Sequence, residues 1–332
     1  MVIMITFYNE ERTMSKKKTG QAPFEFSFCE GLRAVPSKAL ENEIGLHGGF
    51  AVDPREGQGD IYYGMAGIGL IKVSTDLEKQ EILEISSDLM PLSFHSTKIG
   101  TFDGNPRIFL PANEDEKVVI LTLEGDIDFI LSKPEFDEYE SRETPYRPTD
   151  TTLVGNTLYV ADGYGANYIS TVDLSSQSWS AIFGGKSHSA ESRGVYGTAH
   201  GITQVPASRS LAIADRPHSR FEVVGLDGSF QKNYALPTGS RPCGINYYQR
   251  NGTWYAVVAS LDDPQEGRAA PIYILNADTF QVISTIRPKE DLGIARADHI
   301  HNVIWHEHNN GLFLVCQSWN PGFYFVLGLD GP

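Results

Sequence analysis

"GTAHGITQVPASRSLAIADRPHSRFEVVGLDGSF", residues 197–230, decides the fold. It reads as short apolar strands separated by polar turns, with a titratable ring, His200, at the start of the first strand. Strands of four to seven residues broken by Gly, Asn, Asp or Pro recur along the whole chain, and helical periodicity is nearly absent. Examples are "NTLYVADG", "YISTVDL", "WYAVVAS" and "FYFVLGL". This pattern predicts an all-β array and prompts a search for a long repeat.

A degenerate repeat is present. Its units open at His47 (HGGFAVDP), His95 (HSTKIGTF), Thr149 (TDTTLVGN), His200 (HGITQVP), Cys243 (CGINYYQ) and His301 (HNVIWHE). Successive openings are separated by 48, 54, 51, 43 and 58 residues. Six units of about fifty residues, each long enough for a four-stranded sheet, predict a six-bladed β-propeller. A pair of β-sandwiches would not explain six similar openings. The last unit runs out one strand short at Pro332, while "FEFSF" (24–28) precedes the first opening without a unit of its own. This N-terminal strand is therefore expected to complete the last blade and close the ring, hiding edges that would otherwise pair with other chains. The organisation expected is a flexible tail over 1–22 and a single propeller over 23–332, with Met14, before "SKKK", as a second candidate start.

Composition bounds the partners. The 332 residues carry a formal charge of −15, with no basic run beyond "SKKK". Nucleic acid and anionic membrane surfaces need a cationic face, so neither is expected. Three widely spaced cysteines, no CxxC, no long apolar run and no recognisable signal peptide point to a reducing, cytoplasmic setting. The chain is expected to be a monomer or a weak homo-oligomer.

The first strand of each propeller blade lines the central channel, so the six openings form one ring. Four of the nine histidines occupy those six places, where chance would put well under one. His95, His200 and His301 fall on blades two, four and six, a trigonal set suited to Zn²⁺ or another divalent transition metal with a position left open. His47 is an additional ring member: a fourth ligand, a group behind a ligand, or a substrate contact. Cys243 and Thr149 complete the ring, and Asp150 and Asp162 lie near it. His306 and His308, in "WHEHNN", are read as a solvated hairpin, and His299 as a residue near the channel mouth.

Two stretches, "PTDTTLVGNTLYVADGYGANYISTVDL" (148–174) and "AHGITQVPASRSLAIADRPHSRFEV" (199–223), resemble peptidyl-α-hydroxyglycine α-amidating lyase, within the wider group of NHL-repeat propellers. Weaker matches are "FHSTKIGTFDGN" (94–105) and "HNVIWHEHNNGLFLV" (301–315), and the likeness runs over roughly 45–330. The resemblance implies a catalytic zinc on His95, His200 and His301, a catalytic tyrosine at Tyr164 in the "DGY" turn, and a site arginine at Arg216 in "ADR". It implies cleavage of a carbinolamide, N–CH(OH)–COO⁻, to an amide and glyoxylate. The chain also departs from the family pattern. Gly64 and Met65 stand where the family has an essential arginine. Gly165 replaces a cysteine, the secretory disulfides are missing, and Asn302 replaces an acidic residue tied to a structural Ca²⁺. The expected function is thus a metal-dependent lyase acting on a small molecule or peptide end. Alternatives are a metal-dependent lactone hydrolase or other elimination lyase, and a non-catalytic binding propeller.

Overall fold

A computed structural model describes residues 17–141, 144–320 and 322–330. Six antiparallel sheets form a ring of six blades. The channel-lining strands are Gly48–Val52, Lys98–Phe102, Asp150–Val154, Ala199–Gln204, Pro242–Arg250 and Ile300–His308. In blades one to five the four strands follow in sequence order from the axis outward. Such meanders need only tight turns, which Gly, Asn and Asp supply at positive φ, as at Asn167 and Gly228.

Blade six is assembled from both ends of the chain. Phe24–Phe28 pairs antiparallel with Phe323–Leu329, with Phe26 opposite Leu329 and Phe28 opposite Leu327. The closing strand sits where the sequence placed it. One feature differs: Thr19–Gln21, assigned to the tail, is a fifth strand outside Phe24–Phe28. It holds on through blade five, where the Gln21 N–H donates to Ser284 Oγ at 2.9 Å and Thr19 Oγ1 donates to Asp291 at 2.6 Å. Residues 1–16 of the expected tail lie outside the described residues.

Among the described residues the core is six apolar clusters, one at each blade interface. The strands alternate, and both faces of each inner sheet are covered by neighbouring blades, so central strands read as nearly continuous apolar runs such as "KVVIL" (117–121). Phe24 and Phe26 are fully buried at the seam between blades five and six, against Tyr255 and Trp305. The ring is therefore sealed by side-chain packing as well as by strand pairing. No helix among the described residues is long and apolar enough to cross a membrane.

Candidate metal centre

In each blade the first two strands are antiparallel, so the turn after the second strand lies on the same face as the start of the first. That face of the channel gathers the histidines with the turns that carry Tyr164 and Arg216. The rings of His95, His200 and His301 form a nearly equilateral triangle, with centroids 4.8, 4.9 and 5.1 Å apart. All three side chains are buried. His47 is half-buried and lies over one edge of the triangle, 4.5 Å from His95 and 4.1 Å from His301.

Backbone bonds between blades set the ring orientations. His95 Nδ1 lies 2.8 Å from the Thr149 carbonyl, and His200 Nδ1 lies 2.6 Å from the Cys243 carbonyl. A carbonyl can only accept, so each Nδ1 carries the proton and each Nε2 presents a lone pair. In both cases the acceptor is the ring residue of the next blade. Close blade contact makes this possible. A Cβ on Gly201 would meet the Cys243 carbonyl oxygen at 2.5 Å, so no larger residue lets blade four approach blade five this way.

The fates of the lone pairs differ. His200 Nε2 takes a hydrogen bond from Tyr164 Oη at 3.1 Å. His95 Nε2 and both ring nitrogens of His301 are buried with no hydrogen-bond partner. Leaving a buried polar group unpaired costs about 1–3 kcal/mol. Nitrogens in that condition, on converging imidazoles, fit a transition-metal ion. One ligand atom from each of His47, His95 and His301 falls within 4.8 Å of the others.

Electrostatics keep these rings neutral. Burial, then the Arg216 charge, draws His47 down to about 4. His95, His200 and His301 lie well below the usual histidine range, mainly through burial. Arg216 is itself buried. Its Nη1 donates to Tyr164 Oη at 3.0 Å and its Nη2 to Cys243 Sγ at 3.1 Å, while Nε has no partner. Among the described residues no carboxylate pairs with it. A buried cation without a counter-ion is costly, and it makes this mouth attractive to an anionic group. Burial raises the Cys243 thiol, although the guanidinium beside it pulls the other way.

Asp162 and Asp215 build the turns that present Tyr164 and Arg216. Asp162 accepts the N–H groups of Arg147 and Ala166 at 2.6 and 2.7 Å and the Tyr139 hydroxyl at 2.9 Å. Burial nevertheless pushes it up to about 6. Asp215 accepts the Gly197 N–H at 2.8 Å and Arg220 Nε at 2.8 Å. Neither contributes an oxygen to the histidine cluster.

Other residues singled out in the sequence serve the frame. Thr149 holds His95 through its carbonyl, and its hydroxyl accepts the Gly163 N–H at 3.2 Å. Asn302 Oδ1 accepts the Phe50 N–H at 3.1 Å, tying blade six to blade one. Asp150 faces the channel, a cavity of about 210 Å³, and is engaged by the Ile202 N–H at 2.9 Å and Lys98 Nζ at 3.2 Å. His299 sits at the rim, bonded to the Leu261 carbonyl at 2.8 Å. The hairpin assignment of His306 is corrected: the ring is buried between blades six and one, with Nε2 2.6 Å from the Thr75 carbonyl. It alternates with exposed Glu307, so it points inward along an extended strand. Cys29, Cys243 and Cys316 form no disulfide.

Trp319 was not found from the sequence. It follows Ser318, which pairs with Ile300 as Asp215 pairs with Ala199, so it occupies in blade six the place of Arg216 in blade four. Its ring stacks on His47 with centroids 5.5 Å apart. Aligning "QSWN" (317–320) on "ADRP" (214–217) would have exposed it.

No protein-family model matches the sequence, and comparison with curated proteins finds no match. The likeness to amidating lyases therefore rests on the motifs quoted above. Among solved structures the chain is similar to Kuenenia stuttgartiensis hydrazine synthase, at a TM-score of 0.46 and 12% identity, over 65% of this chain and 53% of that one. The chain thus matches about half the length of that protein.

Proposed function

We propose that this propeller is a divalent-metal-dependent lyase, with Zn²⁺ the first candidate ion, that cleaves the C–N bond of a carbinolamide-type small molecule or peptide end. The observation that carries the proposal is the buried, unpartnered Nε2 of His95, its Nδ1 fixed on the Thr149 carbonyl. A ligating histidine that donates its second ring N–H to a backbone carbonyl is a standard arrangement for a bound transition metal. His301, with both nitrogens unpartnered, supports the same use. Bound there, a divalent cation supplies Lewis acidity to a substrate oxygen.

The chain's own residues supply proton transfer and charge. Tyr164 Oη donates to His200 and accepts from Arg216. As the substrate hydroxyl gives its proton to Tyr164 Oη, the phenolic proton leaves its bond to His200 Nε2 and passes to the departing nitrogen. The O–H electron pair then forms the carbonyl, the C–N pair leaves with nitrogen, and Tyr164 ends as it began. Arg216 faces the same oxygen and is suited to an anionic group such as a carboxylate. Gly64 and Met65 offer no second cation from blade one, so the substrate differs in that contact from the amidating-lyase pattern.

Lactone hydrolysis draws less support. Such sites use carboxylates around the ion, whereas Asp150 and Asp162 are both committed to other bonds. Metal-loaded protein incubated with carbinolamide and lactone panels separates the readings. Amide and aldehyde products support the lyase. Ring-opened acids favour the hydrolase, and no turnover with full metal loading favours a binding propeller.

A further inference from the structure

Resting on that metal-centre reading, we infer that His47, together with His95 and His301, holds the ion, and that His200 is a positioning residue for Tyr164. The ring position alone makes His95, His200 and His301 equivalent, one on every second blade. The side-chain contacts break that equivalence. Both nitrogens of His200 are engaged, Nδ1 by the Cys243 carbonyl at 2.6 Å and Nε2 by Tyr164 at 3.1 Å. His95 and His301 keep buried, unpartnered nitrogens. His47 packs closer to both than His200 does, at 4.5 and 4.1 Å between centroids against 4.8 and 5.1 Å, and its ligand atom falls with theirs within 4.8 Å.

Trp319 stacks on the His47 ring. An aromatic behind a ligand limits its rotation, as the carbonyls do for His95 and His200. These three residues come from blades six, one and two, so an ion held by them would lie on the blade-one side of the channel. His200 acts through Tyr164: it fixes the direction of the phenolic O–H and keeps Oη beside Arg216.

The test uses the full chain, stripped with chelator and titrated with Zn²⁺ and Co²⁺. Wild type, His47→Ala, His47→Gln and His200→Ala are compared, with circular dichroism to establish folding. The glutamine variant retains bulk beneath Trp319 should alanine fail to fold. Expected are a Zn²⁺ affinity loss of about 100-fold or more, with an altered Co²⁺ visible spectrum, in the His47 variants. The His200 variant should keep affinity within about 3-fold of wild type, with an unchanged spectrum, while losing turnover. Folded His47 variants with wild-type affinity, or a His200 variant that loses the ion, overturn this assignment but leave the metal-centre reading standing. A wild-type chain that binds neither ion overturns both.

Discussion

Tyr164 Oη donates to Nε2 of His200 across 3.1 Å, joining the mouth turn of blade three to the channel strand of blade four. Arg216 Nη1 reaches the same oxygen from 3.0 Å. The proposed proton relay thus falls on an atom of blade three whose two neighbours both belong to blade four and are both held by Cys243 of blade five.

Tyr164→Phe removes that oxygen and keeps the ring. Because the side chain is half-buried at the mouth and outside the blade cores, melting temperature and metal content should stay close to wild type. Turnover should fall roughly 10²- to 10⁴-fold, the usual contribution of a positioned acid–base group. Steady-state kinetics with metal analysis on the same sample checks this. A fully active Phe variant would remove Tyr164 from the chemistry.

Gly201→Ala tests the contact that sets His200. The added methyl would lie 2.5 Å from the Cys243 carbonyl oxygen, the acceptor of His200 Nδ1. Blades four and five must separate locally, and a loss of about 1–3 kcal/mol is expected in denaturant unfolding. Turnover should drop with it, since the Tyr164 contact shifts when His200 moves.

The closing strand should behave as core. Phe26 is fully buried against Trp305, at 6.3 Å between ring centroids. Phe26→Ala should cost about 3–5 kcal/mol. It should also promote self-association, because a loosened closing strand uncovers the edge of Phe323–Leu329. Denaturant unfolding and light scattering measure the two effects.

Much of this architecture was legible in the sequence, for a physical reason. A propeller repeats one supersecondary unit, so the residues that open each inner strand fall at similar spacings, and His47, His95, His200 and His301 stand out in register. The orphan strand at 24–28 was legible because a ring needs its missing strand from somewhere. What stayed hidden depends on side-chain direction. His95 and His200 are equivalent by position and both pack against the Tyr164 ring, yet its hydroxyl bonds His200, and that follows from the turn Asp162 builds. The Trp319 stack on His47 follows from the register that places Arg216 in blade four, with a bulge at the same point of both inner strand pairs, but "QSWN" and "ADRP" share no residue that would prompt their alignment. His306 was misjudged because burial between blades overrides the polar character of "WHEHNN".

Asp162 gives a pH signature. Burial raises its folded pKa from 3.8 to about 6. The folded protein then binds this proton more tightly than the unfolded chain. The residue's contribution to stability is fully present below pH 3.8 and is lost as pH rises through 6. Relative to Asp162→Asn, which cannot titrate, wild type should gain roughly 2 kcal/mol on going from pH 7 to pH 4. Urea unfolding of both proteins at the two pH values gives that difference directly, with other titrating groups cancelling. An unchanged difference would mean that the three donors hold the carboxylate ionised.

Metal content tests the central claim most directly. The purified chain is stripped with chelator, reloaded with Zn²⁺, desalted and assayed by inductively coupled plasma mass spectrometry, beside His95→Ala. The structure of the histidine cluster predicts close to one ion per wild-type chain and near-complete loss in the variant. Wild-type protein that retains no divalent ion, or a His95 variant that retains as much as wild type, would contradict it.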